Sequence, residues 1–269
     1  MKKHSLTIKL LSVLVICGLL FAAAPVDQVQ ATSLCVNTDG SGGCYTTIQA
    51  AINAAAVGDT INVAAGKYVE NVNINKTISL IGADATTTSI VGTTGMKTPL
   101  TFAANNITVN GFTLTHEYTE VELTTWNDSV INNSGVTFNQ GFSGNILENC
   151  VVTLNRNGVY LNTTQNNIIR NNTITNNRTG INLTNNVNGT QITGNTISDN
   201  WTLGLVYYYQ SGAATDFSTW TVTGNTFDGN WYSEILVKNA GASTGALNLS
   251  SNTFTDSPVT YTNSADASL

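Results

Sequence analysis

One short segment recurs along most of the chain: asparagine, then a small residue, then an apolar one. It stands as Asn-Cys-Val at Asn149, Asn-Thr-Ile at Asn172 and Asn195, and Asn-Thr-Phe at Asn225 and Asn252, with spacings of 23, 23, 30 and 27 residues. Asn-Gly-Phe at Asn110 fits the same frame after a gap of 39. Periods of this size mark solenoids and arrays, in which each repeat buries its apolar face only against its neighbours. Three positions before the asparagine stand Ile107, Ile146, Ile169, Ile192, Val222 and Leu249. Two positions after it stand Phe112, Val151, Ile174, Ile197, Phe227 and Phe254. A glycine-led segment repeats in step, at Gly135, Gly158, Gly180 and Gly204.

Short β-branched segments with period-2 alternation are strand chemistry. Three of them in about 23 residues predict an all-β chain: a right-handed parallel β-helix with three strands per coil, each strand pairing with its copy in the next coil about 4.8 Å away. The asparagines are then read as turn residues, since asparagine tolerates the left-handed backbone region better than any residue but glycine. Their amides can also bond up and down the stack, as in other stacked sheets. The expected ladder is Asn149, Asn172, Asn195, Asn225 and Asn252, and the expected inward columns run through Ile146, Ile169 and Ile192 and through Val151, Ile174 and Ile197.

The first residues carry Lys2, Lys3 and Lys9, then an uncharged apolar run from Leu10 to Ala24 and small residues around Ala31. This pattern reads as a secretory signal peptide over 1–31, leaving a β-helix domain over 32–269. The apolar run is shorter than the ~20 residues of a membrane span, and no second run follows, so the cleaved chain is expected to lack a transmembrane segment. Ile16 before Cys17 argues against a lipoprotein. Localisation is thus expected to be secreted or periplasmic. Ten Lys+Arg less Lys2, Lys3 and Lys9 leave seven, against sixteen Asp+Glu less Asp27, so the domain carries about −8. An acidic chain without a basic cluster excludes nucleic acid as an expected partner. Cys35 and Cys44, nine residues apart, read as a small disulfide loop in an exported chain, and Cys150 as a buried thiol. Nothing in the sequence specifies an oligomeric state.

Residues 45–57 are expected to form a short capping α-helix, with Thr46 and Gln49 as a capping box and Ile48, Ala51, Ile52 and Ala55 on one face. It would cover the open end of the first coil. Strands are expected at Thr60–Val63, Val69–Ile74 and Thr77–Ile81, and loop insertions at 115–129 and 211–220. The stretch "TIQAAINAA…GDTINVAAGKYVENVNINKTISLIGA" resembles the opening of pectin-lyase-like right-handed parallel β-helix proteins, including pectin methylesterases. The asparagine-rich coils from Asn145 onward are similar to the repeats of exported carbohydrate-associated proteins and of a periplasmic group linked to copper enzyme maturation. The resemblance implies the fold, while the fold itself hosts many activities. The catalytic aspartate, arginine and glutamine set of the methylesterases is not visible, nor is the Gly-His-Gly of the polygalacturonases.

Two candidate sites stand out. His116, Glu117, Glu120, Glu122 and Asp128 make an acidic cluster in the expected insertion after Asn110. Its carboxylates Glu117, Glu120, Glu122 and Asp128 are candidate ligands for Ca²⁺, the only cofactor implied, and His116, Glu120 and Glu122 are candidate catalytic groups of a Ca²⁺-dependent lyase. The bland reading of this cluster is a solvated loop. The second site is an outward column of Arg156, Arg178, Trp201 and Trp231 on consecutive coils. Planar side chains at coil spacing suit sugar rings, and guanidinium groups suit acidic ones; mutual stacking over a turn is the alternative. Three functions follow. The leading one is a non-catalytic protein that binds polysaccharide or cell-surface glycan, or builds an extracellular layer. The others are a polysaccharide lyase or related carbohydrate-active enzyme on uronate polymers, and a periplasmic copper-handling β-helix. Whether the chain is an enzyme is left open.

Overall fold

The computed structural model describes residues 31–93, 97–117, 133–238, 243–255 and the backbone of 260–262. The expected signal peptide therefore lies outside the described residues except for Ala31. Most of the 115–129 insertion does so too.

The strands form three parallel sheets of eight strands each. The coil Ile168–Arg170, Thr173–Thr175 and Thr179–Thr184 shows the plan, visiting sheets one, two and three in turn. Each strand pairs in parallel with its equivalent in the next coil, so Ile169 faces Ile192, Ile174 faces Ile197 and Leu183 faces Tyr207. The solenoid is right-handed, the hand that parallel crossovers favour. Inward columns of like side chains fill it. In sheet one they are Leu80, Val109, Leu147, Ile169, Ile192 and Val222, all buried. In sheet three Phe102 stacks on Phe138 with ring centroids 4.3 Å apart. Contact between identical shapes lets each coil pack as the previous one did.

Two corners of the central coils are held by asparagines, most of them buried. Between sheets one and two stand Asn172, Asn195, Asn225 and Asn252. The Asn172 amide donates to the Leu147 carbonyl at 3.0 Å and to Asn195 Oδ1 at 3.0 Å, and Asn195 donates likewise to Asn225, and Asn225 to Asn252. A second ladder joins sheets two and three through Asn155, Asn177, Asn200 and Asn230. Its first member accepts from His116 Nδ1 at 2.7 Å, and its last donates to the carboxylate of Glu234. Stacked glycines make room for these amides: a Cβ at Gly180 would lie 2.4 Å from the Gly204 carbonyl and 3.0 Å from Asn200 Nδ2.

The structure moves some expected positions. Leu147 and Val152 point inward, and Ile146 and Val151 outward, one residue from the expected register. The ladder position of that coil is Cys150, whose backbone N–H donates to Asn172 Oδ1 at 2.9 Å, while Asn149 is exposed. In the coil of Asn110 the inward residues are Val109 and Leu114, and Phe112 takes the corner. A pattern anchored on asparagine slides where the corner itself holds another residue.

The left-handed angle also belongs to a different residue. It falls on the position before most ladder asparagines: Asn171 (φ 55°), Gly194 (65°) and Gly224 (67°) at one corner, Leu154 (58°), Asn176 (54°), Asp199 (52°) and Gly229 (63°) at the other. One residue turns the chain and the next holds it.

The capping helix spans Ile48–Ala54, shorter than expected, with Thr47 rather than Thr46 as its cap. Glu70 reaches over from the next segment to accept from the Ile48 and Gln49 backbone N–H groups, and Lys76 donates to three carbonyls at the other end. Ile48, Ala51 and Ile52 cover the first coil. Thr60–Val63 is a strand as expected; the expected strand at Val69–Ile74 is broken into Gly66–Val69 and Val72–Ile74. Cys35 and Cys44 form a disulfide. The 211–220 insertion turns inward, setting Phe217 and Trp220 edge-on against buried Tyr207 at 5.0 and 5.7 Å.

This division of labour is testable. Asn172→Gly should cost about 1–3 kcal/mol or more, because it strips partners from buried groups. Asn171→Gly should change stability by less than about 1 kcal/mol, because glycine accepts the same backbone angle. Equal effects in urea unfolding would contradict the assignment.

Candidate functional site

The second ladder sets the stage for a surface site. Immediately after each of its asparagines comes Arg156, Arg178, Trp201 or Trp231. Their backbones are tied coil to coil: Arg178 N–H donates to the Asn155 carbonyl at 2.9 Å, Trp201 N–H to that of Asn177 at 2.8 Å, and Trp231 N–H to that of Asn200 at 3.1 Å. The four residues therefore form one column, about 4.8 Å apart per coil.

Three of the four line a groove of about 410 Å³ on the outer face of sheet three: Arg156, Arg178 and Trp231. Trp231 is 71% exposed and its neighbour Tyr232 48%. Asn157, Thr179, Asn182 and Thr202 supply amides and hydroxyls, and Leu203 an apolar patch. Trp201 is half-buried and outside the lining, with an indole Nε1 shielded from solvent and lacking a hydrogen-bond partner. Outward residues of the "GINL" strand, Asn182 above all, were missed in the sequence. Strict alternation counted from Ile181 and Leu183 would have found it. Among the described residues, the lining holds two guanidinium groups and no carboxylate.

The acidic cluster is placed differently. Glu120, Glu122 and Asp128 lie outside the described residues. Glu117 is exposed and pairs with Lys67. His116 is only 3% exposed and points at the second ladder, with Nδ1 facing Asn155 Oδ1 and Nε2 facing the Lys97 carbonyl at 3.2 Å. Burial holds its pKa below the ordinary histidine value, while these two acceptors pull the other way. The described residues thus do not bring His116 and Glu117 together on one surface.

Fold and groove together define the class: a right-handed parallel β-helix with an aromatic and cationic groove on the outside of one sheet. The chain belongs to the family described as periplasmic copper-binding protein (NosD), whose pattern matches residues 52–230. Solved structures share the fold at low identity. A protein from Geobacillus virus E2 (ORF18) is 17% identical with a TM-score of 0.53, over 77% of this chain and 47% of that one, so this chain spans less than half of the viral protein. A pectin methylesterase solved with a hexasaccharide is 10% identical with a TM-score of 0.51, over 83% of this chain and 92% of that one. Pectin methylesterase PemA from Erwinia chrysanthemi is 10% identical with a TM-score of 0.50, over 84% and 93%. No curated protein matches this chain.

The family name implies copper, and the described residues do not fit it. Among them no three His, Cys, Asp or Glu side chains converge on one point. Cys35 and Cys44 are bonded to each other, and both nitrogens of His116 face protein oxygens. Cys150 is buried, its thiol donates to the Glu148 carbonyl, and burial pushes its pKa up to about 12. Thiolate is the metal ligand and the nucleophile, so this thiol is inert in the fold. A maleimide reagent at pH 8 should leave Cys150 unmodified in native protein and label it on unfolding in urea. Rapid labelling of the native protein would contradict this placement.

Proposed function

We propose that this protein is an exported, non-catalytic β-helix that binds a polysaccharide through the outer groove of sheet three. The observation that carries this reading is Trp231, a tryptophan standing 71% exposed beside Tyr232 on the rim of a groove with guanidinium and amide walls. Large exposed aromatic planes are costly to leave in water, and sugar rings offer the C–H faces that cover them. Arg156 and Arg178 add charge-assisted donors, and Asn157, Asn182, Thr179 and Thr202 add neutral ones. The ladder beneath supplies rigidity, so little ordering is required when a ligand binds. A non-catalytic role accords with an inward-facing His116 and with a groove whose described lining holds no carboxylate, since sugar chemistry of the lyase or hydrolase kind requires a positioned acid or base. Export is supported by the apolar N-terminal run and the disulfide. No helix among the described residues is long and apolar enough to cross a membrane.

Electrophoresis through gels containing single polysaccharides tests this reading. Migration should be retarded by at least one polymer, and Trp231→Ala should weaken that retention by ~1–3 kcal/mol, the scale of ring stacking on aromatic side chains. The thermal midpoint should stay unchanged because the side chain is exposed. Free migration through every polymer, or full retention of the variant, would overturn it.

A further inference from the structure

Sheet two presents an outer face unlike those of its neighbours. Its strands Thr113–Thr115, Val151–Thr153, Thr173–Thr175, Thr196–Ser198 and Thr226–Asp228 each turn one apolar residue inward and two residues out. Strand pairing holds the outward residues in constant register. Thr113, Val151, Thr173, Thr196, Thr226 and Thr253 form one column, and Thr115, Thr153, Thr175, Ser198 and Asp228 a second beside it. Serine and valine keep half of the threonine group, the hydroxyl or the methyl. The repeat does not demand this composition, because the matching outward places of sheet one hold Ile146 and Glu148, Ile168 and Arg170, and Gln191 and Thr193.

The two columns make a lattice. Hydroxyl and methyl groups recur about 4.8 Å apart from coil to coil and about 6.6 Å apart along a strand. Threonine is stiff at χ1, so few rotamers blur the array. Thr173 and Thr196 are exposed, and Thr113, Thr115, Thr153, Thr175 and Thr226 half-buried. The Thr113 hydroxyl donates to the Ala85 carbonyl at 2.6 Å and that of Thr115 to the His116 carbonyl at 3.0 Å, which leaves both oxygens as acceptors. Leu114, Val152, Ile174, Ile197 and Phe227 support the face from inside. Both asparagine ladders border this sheet, one along each edge.

Charge and shape together select the partner. Glu148 and Arg170, in the same coils, stand on sheet one and pair with each other. Among the outward residues of the two columns Asp228 alone is charged, and it accepts from the Thr255 hydroxyl. None of these residues is aromatic, so sugar rings find no plane to cover. A neutral, rigid array of hydroxyls and methyls is complementary to an uncharged lattice with fixed donors and acceptors of its own. The two spacings are close to the repeats at which water oxygens recur on a prism face of hexagonal ice. Hydroxyls bond ordered water nearly as well as they bond protein, and methyl groups gain by leaving liquid water.

We infer that the outer face of sheet two binds ice, its threonine columns holding water at lattice positions and fixing the protein to a growing crystal. The site lies on a different sheet from the glycan groove and stands without it.

The test grows an ice shell slowly on a cooled finger from a solution of the full chain and measures protein in ice and liquid, with albumin as the excluded control. The wild type should be enriched in the ice. Thr173→Tyr, in the middle of the face, should fall to the level of albumin with its thermal midpoint unchanged, because a bulky ring lifts the face off the crystal. Thr196→Lys, at a second exposed position, should do the same and reads the face separately if Thr173→Tyr unfolds. Trp231→Ala should leave ice uptake as it is. Exclusion of the wild type at the level of albumin would overturn the inference, and so would undiminished uptake by the folded face variants. Retention on crystalline cellulose that Thr173→Tyr abolishes, without ice uptake, would overturn it in favour of a neutral glycan on this sheet. None of these failures touches the groove of sheet three.

Discussion

An amide buried in a stack of coils needs a partner for its oxygen and for each amide hydrogen, or it costs about 1–3 kcal/mol per group left unmade. Asn172, Asn177, Asn195 and Asn200 meet that demand in one way. Each oxygen accepts from the coil before, and each nitrogen donates to the coil after and to a backbone carbonyl. All the amides of the second ladder therefore point the same way. Its oxygen end meets a donor, His116 Nδ1, and its nitrogen end meets an acceptor, the buried carboxylate of Glu234. Two ionisable side chains that could pass for catalytic groups thus close a structural chain of hydrogen bonds, whose polarity suits a donor at one end and an acceptor at the other.

The surface depends on that interior. A residue following a ladder asparagine has no choice of position, because its N–H is bound to the carbonyl of the preceding coil. Arg156, Arg178, Trp201 and Trp231 are aligned for this reason, and the six-residue strands that follow carry the alignment across sheet three to Tyr208 and Lys238. The groove is a regular lattice of side-chain positions. The strand scaffold repeats, and on sheet three the coils differ mainly in which side chain fills each outward place. This explains how one fold can be shared with pectin methylesterases at 10% identity without implying their chemistry.

Much of this was legible from period alone. Apolar residues at fixed distances from a repeated asparagine identify three strands per coil, and Ile48, Ala51 and Ile52 at helical spacing identify the cap. The Arg156, Arg178, Trp231 wall of the groove follows from the same frame. The frame slipped where the corner residue was not asparagine: Cys150 and Phe112 fill a corner by being apolar and buried, so the neighbouring Asn149 and Asn110 drew the alignment. The turn angle was assigned to the ladder asparagines because the doublets Asn171–Asn172 and Asn176–Asn177 hide two roles in one residue type; Gly194–Asn195 and Gly229–Asn230 separate them. Glu234 was not legible, since a carboxylate in "SEILVK" reads as a solvated residue until the ladder is seen to end on it.

The central claim is that the outer face of sheet three holds the ligand while the ladders beneath hold the face. Hydrogen–deuterium exchange with and without the retained polysaccharide tests it most directly. The account predicts added protection in 156–162, 178–184, 202–208 and 231–238, with the first two sheets unchanged. Protection confined to another sheet or to the capping helix, or uniform across the solenoid, would contradict it.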